Sequence, residues 1–461
     1  MSSDKPNVTE RRGFLKALGG LTAALSALPA TLAGQGSAPS RRAGAKYMGD
    51  FAAPKLDKIR IALIGVGARG TGHAQQLAAI EGTEIVAISD LYEDWARRSE
   101  KNVIARGHKP KIYFGDENLW RTMLTEVKPD MVVIATPWEK HGPMGVAAMK
   151  AGAHAFIETP IAVTLQEMWD LVDTSEQTGR HCMHMENVCY GREELLYLNM
   201  VRQGAIGELL HGEAAYIHDL RSQMKEVERG TGSWRTYHYA RRNGNLYPCH
   251  GLGPVAQYMN LARTEDTFGR LSSFSSPSKM RTAYARANFP PDHKWNQMTF
   301  VAGDINTSII KTVLGRTIMV QWDEQLPRPY SRLNLIQGTK GALAGYPNRL
   351  AVEGVSNVGN WVQDAKFAEL TAQYEHPLFK RAGELAKKMG GHGGMDFLML
   401  YRIIECLRGG LPLDQNVYEG CFWSSVAPLS EKSVKENGAP QEFPDFTRGN
   451  WKTTTPLGIV A

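Results

Sequence analysis

The chain has 461 residues, of which 43% are hydrophobic and 22% charged, and 53 Lys and Arg stand against 47 Asp and Glu. At about 150 residues per domain this length accommodates two or three domains, and the composition excludes disordered, fibrous and small disulfide-stapled proteins. The net charge of +6 is spread without a dense basic run, which argues against a nucleic-acid-binding surface. We therefore expect no nucleic-acid partner.

The cysteines are five, an odd number, and lack a CxxC spacing, so they indicate neither a disulfide framework nor a zinc site. We expect free thiols or one incidental bridge among Cys182, Cys189, Cys249, Cys406 and Cys421. The neighbouring Asp292 and His293, with Asp304, match no known ligand spacing. The sequence therefore predicts no metal ion.

The N-terminus has the pattern of an export signal. Residues 10–16 read Glu-Arg-Arg-Gly-Phe-Leu-Lys, and a mildly apolar stretch and small residues follow through residue 33. This resembles a twin-arginine signal peptide, with Glu10 where Ser or Thr is usual; an amphipathic surface helix is the alternative. The apolar stretch is shorter than the ~20 residues needed to span a bilayer, so we expect no stable membrane insertion. We predict a signal peptide at 1–33, a linker or arm at 34–58, and a periplasmic or secreted protein.

A glycine-rich turn follows the first apolar, β-branched run, residues 59–64, and helical character follows over 73–80. The next apolar run, 84–89, ends in an aspartate placed 20 residues after the last glycine of the turn, where a carboxylate accepts from both ribose hydroxyls. The pattern predicts a dinucleotide site that favours NAD, although Arg97 and Arg98 leave NADP open, and a glycine turn in an ordinary sheet is the structural alternative. The residues assigned to the cofactor here are Gly65, Gly67, Ala68, Arg69, Gly70 and Asp90.

Further apolar runs at 131–135, 153–158 and 181–185 alternate with helical stretches at 142–151 and 164–178. This alternation predicts a doubly wound parallel sheet, a Rossmann domain over residues 59–187. Ligands bind beyond the carboxyl ends of such strands, although residues there also serve simply to cap helices. The candidates at this rim are Trp138, His141, Glu158, Thr159 and Asn187 for the cofactor and Tyr190 for proton transfer.

The remainder, residues 188–461, is predicted to be an α+β domain. Strand-like runs separated by turn signals lie at 212–217, 267–274, 308–313, 316–322 and 332–337. They indicate a large, mostly antiparallel open sheet, and such sheets often pair between subunits, so we expect a homo-oligomer, a dimer. A helix is predicted at 396–407, after a glycine-rich loop that contains His392. His392 either enters the active site or, as we prefer, lies on the surface.

From residue 59 onward the chain resembles the Gfo/Idh/MocA oxidoreductases, with Thr159 where that superfamily carries a lysine in a Glu-Lys-Pro tripeptide. More specifically, it resembles the NAD-dependent α-N-acetylgalactosaminidases of glycoside hydrolase family 109. That resemblance lies in residues 65–70, in Thr136-Pro137-Trp138 with His141, in 186–194, in Trp234-Arg235 and above all in the segment 245–254, Asn-Leu-Tyr-Pro-Cys-His-Gly-Leu-Gly-Pro.

The resemblance implies a tightly bound NAD that is regenerated in every turnover, a glycan substrate with terminal N-acetylgalactosamine, and Trp234 at the cofactor. The residues implied to hold the sugar are Tyr216, Arg235, Tyr247, His250 and Tyr330. Ordinary glycosidases need two carboxylates at a set separation, and nothing in the sequence singles out such a pair.

The implied reaction instead oxidises C3 of the sugar, removes the C2 proton, eliminates the glycosidic oxygen, adds water and reduces C3 again. We assign acid/base chemistry to His250, an imidazole of suitable pKa range, and predict Tyr247 as a second catalytic residue, since a helix beginning here would place it one turn away so that imidazole and phenol converge on C3 and C2. Tyr190 is the next candidate for proton transfer. A His that caps the following helix and a buried core tyrosine are the structural alternatives. The competing functions are an NAD-dependent sugar or inositol dehydrogenase, against which Thr159 argues, and a noncatalytic sugar or nucleotide sensor.

Overall fold

The first apolar runs form a six-stranded parallel sheet in the computed structural model, which describes residues 38–460. The predicted signal peptide, residues 1–33, lies outside the described residues. The strands are β1 (Ile59–Ile64), β2 (Thr83–Asp90), β3 (Lys111–Phe114), β4 (Met131–Ile134), β5 (His154–Ile157) and β6 (Cys182–His184), in the spatial order β3-β2-β1-β4-β5-β6. Every residue of the central strands β4 and β5 is buried, which is the physical reason for their unbroken apolar runs.

Five helices connect these strands. They are α1 (Ala68–Leu77), α2 (Glu93–Ile104), α3 (Leu119–Val127), α4 (Trp138–Lys150) and α5 (Leu165–Thr178). The predicted Rossmann topology is confirmed, and Thr164 and Glu167 form the reciprocal capping box at the start of α5. Helices α1 and α4 begin four or five residues before their predicted starts. Each starts directly at the turn, after Gly67 and Pro137 respectively, where low helix propensity hides the first turn from sequence patterns.

The second sheet has eight strands in the order β13-β12-β11-β7-β10-β9-β8-β14, and only the β7–β10 pair is parallel. Its strands are β7 (Leu209–Ile217), β8 (Phe268–Ser275), β9 (Asn306–Thr312), β10 (Thr317–Asp323), β11 (Leu335–Gly338), β12 (Gly341–Ala344), β13 (Arg349–Val352) and β14 (Gln441–Glu442). The predicted mostly antiparallel sheet is confirmed. The predicted strand at 332–337 begins later, at Leu335, because Leu333 and Asn334 have left-handed φ values of 57° and 51°, which interrupt an extended chain.

Helices of the second half pack on both sheets. They are α6 (Arg192–Arg202), α7 (Thr231–Arg241), α8 (Cys249–Tyr258), α9 (Met280–Asn288), α10 (Asp364–Tyr374), α11 (Pro377–Met389), α12 (Met395–Gly409) and α13 (Val417–Lys435). Helix α12 contacts α1 and β1, and α13 contacts α5, β6 and β8. The end of the chain therefore returns to the N-terminal sheet. Short 3-10 segments lie at Asn187–Tyr190, Arg221–Lys225, His392–Gly394, Asn450–Thr453 and Gly458–Val460.

The segment before β1, residues 38–58, packs against the helices α5 and α13. Arg41 forms an ion pair with Glu176 of α5 at 3.0 Å. The ring of Tyr47 stacks on Tyr418 of α13 at 4.9 Å, and the amide of Met48 donates to the Tyr418 hydroxyl. No helix in the described part of the chain is long and apolar enough to cross a membrane.

All five cysteines lie within the described residues, and each is a buried free thiol. Of the two alternatives that the sequence allows, free thiols are therefore correct. Burial raises the pKa of the Cys249 thiol to about 12, so this thiol stays protonated at neutral pH.

Three buried histidines make stability depend on pH. Burial lowers the pKa values of His154, His184 and His376 to about 4, whereas histidine in an unfolded chain has a pKa of about 6.5. The unfolded chain takes up these protons first as the pH falls. The free energy of unfolding is therefore complete above pH 6.5 and decreases as the pH falls toward 4.

We expect His376→Asn to reduce this loss of stability. His376 caps α11 by accepting from the amide of Leu378, and asparagine keeps an acceptor there without titrating. Urea unfolding at pH 7.5 and pH 5 should show a decrease in the variant that is about 1–2 kcal/mol smaller than in the wild type. An unchanged decrease would contradict the prediction.

Candidate active site

The glycine turn between β1 and α1 has a geometry that only glycine permits. Gly65 has a φ of 81°, and a Cβ at this position would lie 2.7 Å from the carbonyl oxygen of Ala135. A Cβ at Gly70 would lie 1.9 Å from the carbonyl oxygen of Gly65. Gly67 has no side chain with which to cap the N-terminus of α1, so the first amides of this helix need another acceptor. Such free amides bind a pyrophosphate.

Asp90 closes the other side of this turn at the carboxyl end of β2. Its carboxylate accepts from the amides of Val66 at 2.7 Å and Tyr92 at 2.9 Å, and it is 9% exposed. This places the acidic group beside the glycine turn, as ribose recognition requires. The glycine turn and Asp90 together fit an NAD molecule.

A charged network borders the turn. Arg69 reaches Glu158 Oε1 and Asp396 Oδ2, each at 2.8 Å, and Glu158 also bonds to His73 at 2.6 Å. Although burial acts to raise the pKa of Glu158, Arg69 and His73 hold that pKa well below its ordinary value. Asp396 also accepts from Asn187 Nδ2 at 2.6 Å. The network joins the glycine turn to α12 of the C-terminal half.

His392 extends this network from the glycine-rich loop before α12. Its Nδ1 lies 2.7 Å from Asp396 Oδ2 and 3.1 Å from Arg69 Nη1. The side chain is nevertheless 58% exposed. His392 is thus exposed at the surface, as we prefer from the sequence. It also contacts Asp396 and Arg69 of the charged network beside the glycine turn.

Aromatic rings lie next to the predicted cofactor residues. The ring of Trp138 stacks on Tyr247 at 5.5 Å and meets Trp234 edge-on at 5.2 Å. The Arg235 guanidinium lies 4.7 Å from the Trp138 ring centre and 5.0 Å from that of Tyr247. Trp138 therefore contacts residues predicted for the cofactor and residues predicted for the sugar.

His250, in the first turn of α8, lies among tyrosines. Its ring centre is 5.0 Å from both Tyr216 and Tyr247, and Tyr216 lies 6.2 Å from Tyr330. His250 Nδ1 is 2.7 Å from Glu186 Oε1. Burial raises the pKa of Tyr247 well above its ordinary value, so the phenol stays protonated and can donate a hydrogen bond. The structure therefore brings together all five residues predicted to bind the sugar.

The positive charge of Arg235 is paired with the buried carboxylate of Glu324. Its Nη1 lies 3.2 Å from Glu324 Oε1, and Glu324 Oε2 accepts from the Tyr239 hydroxyl. Arg281 donates to the main-chain oxygen of Glu324 at 2.9 Å. Arg235 is 7% exposed and so is held as a fixed positive charge in the floor of the cluster.

Comparisons with known proteins agree with this geometry. Residues 190–453 match the family model described as "Glycosyl hydrolase 109, C-terminal domain", and residues 59–185 match "Oxidoreductase family, NAD-binding Rossmann fold". The chain belongs to glycosyl hydrolase family 109. Relatives from Akkermansia muciniphila, glycosyl hydrolase family 109 proteins 1 and 2, are 60% and 55% identical, and each alignment covers 98% of this chain and 99% of the relative. A family 109 protein from Shewanella amazonensis is 54% identical over the same shares.

Solved structures share the fold. An NAD-binding oxidoreductase from Klebsiella pneumoniae matches with a TM-score of 0.64 and 17% identity, covering 84% of this chain and 99% of the other. Levoglucosan dehydrogenase in complex with NADH and L-sorbose matches with a TM-score of 0.62 and 16% identity, covering 85% and 100%. The family resemblance read from the sequence is confirmed. This family 109 member is a glycosidase of an NAD-dependent family, and its N-terminal domain binds NAD(H).

In this family 109 protein the side chains of two predicted site residues, Tyr190 and His141, bond to other parts of the protein. Tyr190 packs in the main hydrophobic core, where its hydroxyl donates to Asp414 at 3.2 Å, and it is not part of the aromatic cluster around His250. Both ring nitrogens of His141 lie within hydrogen-bond distance of main-chain oxygens, those of Pro160 and Thr136. His141 therefore ties together the segments after β4 and β5.

Two other predicted cofactor residues keep polar atoms available. Thr159 Oγ1 and Asn187 Oδ1 are buried, and neither atom has a hydrogen-bond partner in the described part of the chain. Buried polar atoms without partners are costly, so a bound group that supplies those bonds would stabilise this arrangement. Both atoms thus fit a cofactor edge.

Sequence reasoning missed three polar residues that the fold adds to the site. They are His218, Glu324 and Asp396. Glu186 lies in the segment 186–194 that carries the family resemblance, but its bond to His250 was not predicted. His218 and Glu324 directly follow the carboxyl ends of β7 and β10, which pair in parallel. A search for polar residues just after those strands could have found them, whereas Asp396 has no local signal.

A buried trio also lies behind His250. Atoms of His184, Glu186 and Cys249 lie within 4.8 Å of one another, close enough for a metal ion. Glu186 Oε1 is already bonded to His250 Nδ1, so in this arrangement the carboxylate contacts the histidine. The expected lack of a metal stays a prediction.

Proposed function

We propose that this protein hydrolyses terminal α-N-acetylgalactosamine from glycans by a redox-neutral, NAD-dependent mechanism. The observation that carries the proposal is the contact of His250 with Tyr216 and Tyr247, together with Trp138, which follows β4 at the predicted cofactor rim and stacks on Tyr247. A sugar stacked on these rings would present its C2 and C3 to His250 and to the cofactor side at once. The relatives in family 109 support the glycosidase class.

A bound NAD, held by the glycine turn and Asp90, would supply a reversible hydride acceptor for C3 of the sugar. The protein has to move the protons that accompany this. Two protons leave the sugar, from O3 in the oxidation and from C2 in the elimination, and both positions are protonated again in the reverse steps. His250 accepts one of these protons and the other exchanges with solvent, while the protonated Tyr247 phenol donates to the departing glycosidic oxygen. The fixed charge of Arg235 stabilises the enolate that forms when the C2 proton is lost. Elimination at C1, addition of water and return of the C2 proton complete a net hydrolysis.

Thr159 fits this proposal better than simple dehydrogenation. Dehydrogenases of the superfamily use a lysine at this place, and threonine has no ammonium to transfer a proton. In this chain we assign proton transfer to His250 and Tyr247 instead, whose ring centres lie 5.0 Å apart.

The proposal is tested with a chromogenic α-N-acetylgalactosaminide and the purified protein in D₂O. We expect release of the aglycone without accumulation of NADH, and deuterium at C2 of the released sugar, because the C2 proton exchanges with solvent. Absorbance at 340 nm and mass spectrometry measure the two quantities. Stoichiometric NADH without aglycone would favour the dehydrogenase alternative, and binding of the sugar without any turnover would favour the sensor.

We also propose that NAD is bound tightly and recycled. The loop before α12 reaches the glycine turn, since Asp396 bonds to Arg69 and the oxygen of Gly390 accepts from Gln76 at 2.9 Å. Asp396→Asn removes the charge that holds Arg69. We expect this variant to lose NAD at least about tenfold faster on gel filtration than the wild type, since a charged hydrogen bond contributes about 1.5–3 kcal/mol.

The control for this variant is Asp292→Asn, at an exposed position outside the site. It should retain NAD as the wild type does. Equal retention by the Asp396 and Asp292 variants would contradict the role of the loop.

For localisation we propose export by the twin-arginine route, which carries folded proteins and so fits one that loads NAD before export.

We also propose a homodimer formed by the outward face of the large sheet. Phe274 and Ile309 lie on that face in adjacent strands and are 63% and 45% exposed. Fractionation of cells and light scattering of the purified protein test the two proposals.

A further inference from the structure

Glu186 is a buried carboxylate that the proposed reaction does not yet use. It follows β6 and caps the 3-10 segment Asn187–Tyr190, where its Oε1 accepts from the amide of Val188 at 3.0 Å. The main chain of Glu186 is held by Gln415, which accepts from its amide and donates to its oxygen. Glu186 is fully buried, so both its backbone and its side chain are fixed in place.

The contact with His250 determines which ring nitrogen carries the proton. A carboxylate only accepts hydrogen bonds, so the hydrogen in the 2.7 Å contact belongs to His250 Nδ1. In a neutral ring this leaves Nε2 as the unprotonated nitrogen. Within the described part of the chain Nε2 has no hydrogen-bond partner, and the ring edge adjoins Tyr216 and Tyr247.

We propose that Glu186 is a positioning residue that orients His250 and fixes its Nδ1–H tautomer, so that Nε2 is the atom that takes the substrate proton. The proposal rests on the proposed glycosidase function. The carboxylate also stabilises the imidazolium that forms when Nε2 takes up the proton, as the buried acid of a catalytic triad does for its histidine. The second oxygen, Glu186 Oε2, is buried without a partner, so the negative charge is not neutralised elsewhere in the described residues.

Packing alone does not account for a charge in this place. The groups around it are apolar or neutral: Gly253, whose Cβ would lie 3.0 Å from Glu186 Cγ, the protonated thiols of Cys189 and Cys249, and His184, whose pKa burial lowers to about 4. A buried carboxylate without a positive partner is costly. His250, when it is protonated during the reaction, is the positive partner of the Glu186 carboxylate.

The test compares Glu186→Gln with the wild type after both have been loaded with NAD. We expect kcat to fall about 10²- to 10³-fold, because the glutamine oxygen can still accept from the Val188 amide and from Nδ1 but carries no negative charge to stabilise the imidazolium. The KM, the bound NAD and the melting temperature should remain close to those of the wild type. The isotope effect on kcat should rise with substrate deuterated at C2 or at C3, and the position that responds identifies the step that His250 serves.

Glu186→Asp keeps the charge one methylene further away and should recover part of the lost kcat. Glu419→Gln is the matched control, since Glu419 is also a buried carboxylate but pairs with Arg263 and caps α13. It should lose stability with an unchanged kcat. If Glu186→Gln itself unfolds, Glu186→Asp is compared with Glu419→Gln. A kcat that is reduced in Glu186→Asp but unchanged in Glu419→Gln would support the proposal, and equal kcat values would contradict it.

A wild-type kcat in Glu186→Gln, or an unchanged isotope effect at both positions, would overturn the proposal. So would one equivalent of a tightly held metal ion that is lost with Glu186, because the carboxylate would then be a ligand. Failure of the wild type itself to hydrolyse the glycoside would contradict the proposed function instead, so the two failures can be told apart.

Discussion

His250→Asn is expected to lower kcat about 10³-fold while the protein keeps its NAD and its fold. Asparagine can still donate from its amide to Glu186 Oε1, the bond that His250 makes at 2.7 Å, but it has no basic nitrogen in the position of Nε2. Loss of a general acid or base typically costs 10²- to 10⁴-fold. Steady-state hydrolysis of the chromogenic glycoside measures kcat, and the absorbance spectrum measures bound NAD.

His211→Asn is the control for this substitution. His211 lies on β7 in the large sheet, where its Nδ1 bonds to Thr317 at 2.8 Å, outside the cluster around His250. Its replacement should leave kcat unchanged. A His250 variant with more than about one tenth of the wild-type kcat would show that proton transfer takes place elsewhere, because smaller losses than this are below the range of acid–base catalysis.

The second large effect is expected for Gly70→Ala, which should abolish NAD binding and therefore activity. The added Cβ would lie 1.9 Å from the carbonyl oxygen of Gly65, which is main chain and cannot move aside without opening the turn. Helix α1 would then shift away from the sheet and take its free amides out of reach of a pyrophosphate. We expect no NAD in the purified variant and a loss of activity of at least about 100-fold, corresponding to about 2.7 kcal/mol of lost cofactor binding.

Gly72→Ala is the matched control because it lies in the same helix with no atom within 4 Å of the added Cβ. Alanine favours a helix, so this variant should be as stable as the wild type or slightly more so, with full NAD content. Copurification of NAD with Gly70→Ala in wild-type amounts would contradict the steric argument.

Short-range patterns were sufficient to predict the Rossmann half. Buried strands flanked by turns, a glycine turn at 65–70 and the spacing to Asp90 are all encoded within about 30 residues, so each could be found without knowing the fold. The family 109 identity also came from continuous stretches, above all residues 245–254. These same stretches contain Tyr247 and His250, so these two members of the aromatic cluster were predicted from the sequence, while their binding of a sugar stays a prediction.

The side-chain partners of those residues depend on how distant segments pack. Glu186 and His250 are 64 positions apart, and Arg69 and Asp396 are 327 apart, so no local pattern links either pair. Tyr190 shows the converse. It belongs to the same rim segment as Asn187, but the 3-10 turn directs Asn187 to Asp396 and Tyr190 into the core at Asp414.

The chain's local order thus predicts the domain types and the cofactor turn, and it singles out His250 as the candidate acid–base residue. The charges that orient this histidine and close the cofactor site come from the packing of α12 and the post-β6 segment against the rest. Local propensity and periodicity act over a few turns of chain, whereas ion pairs and buried hydrogen bonds form wherever packing brings their atoms within about 3 Å. That distance is set by the assembled fold.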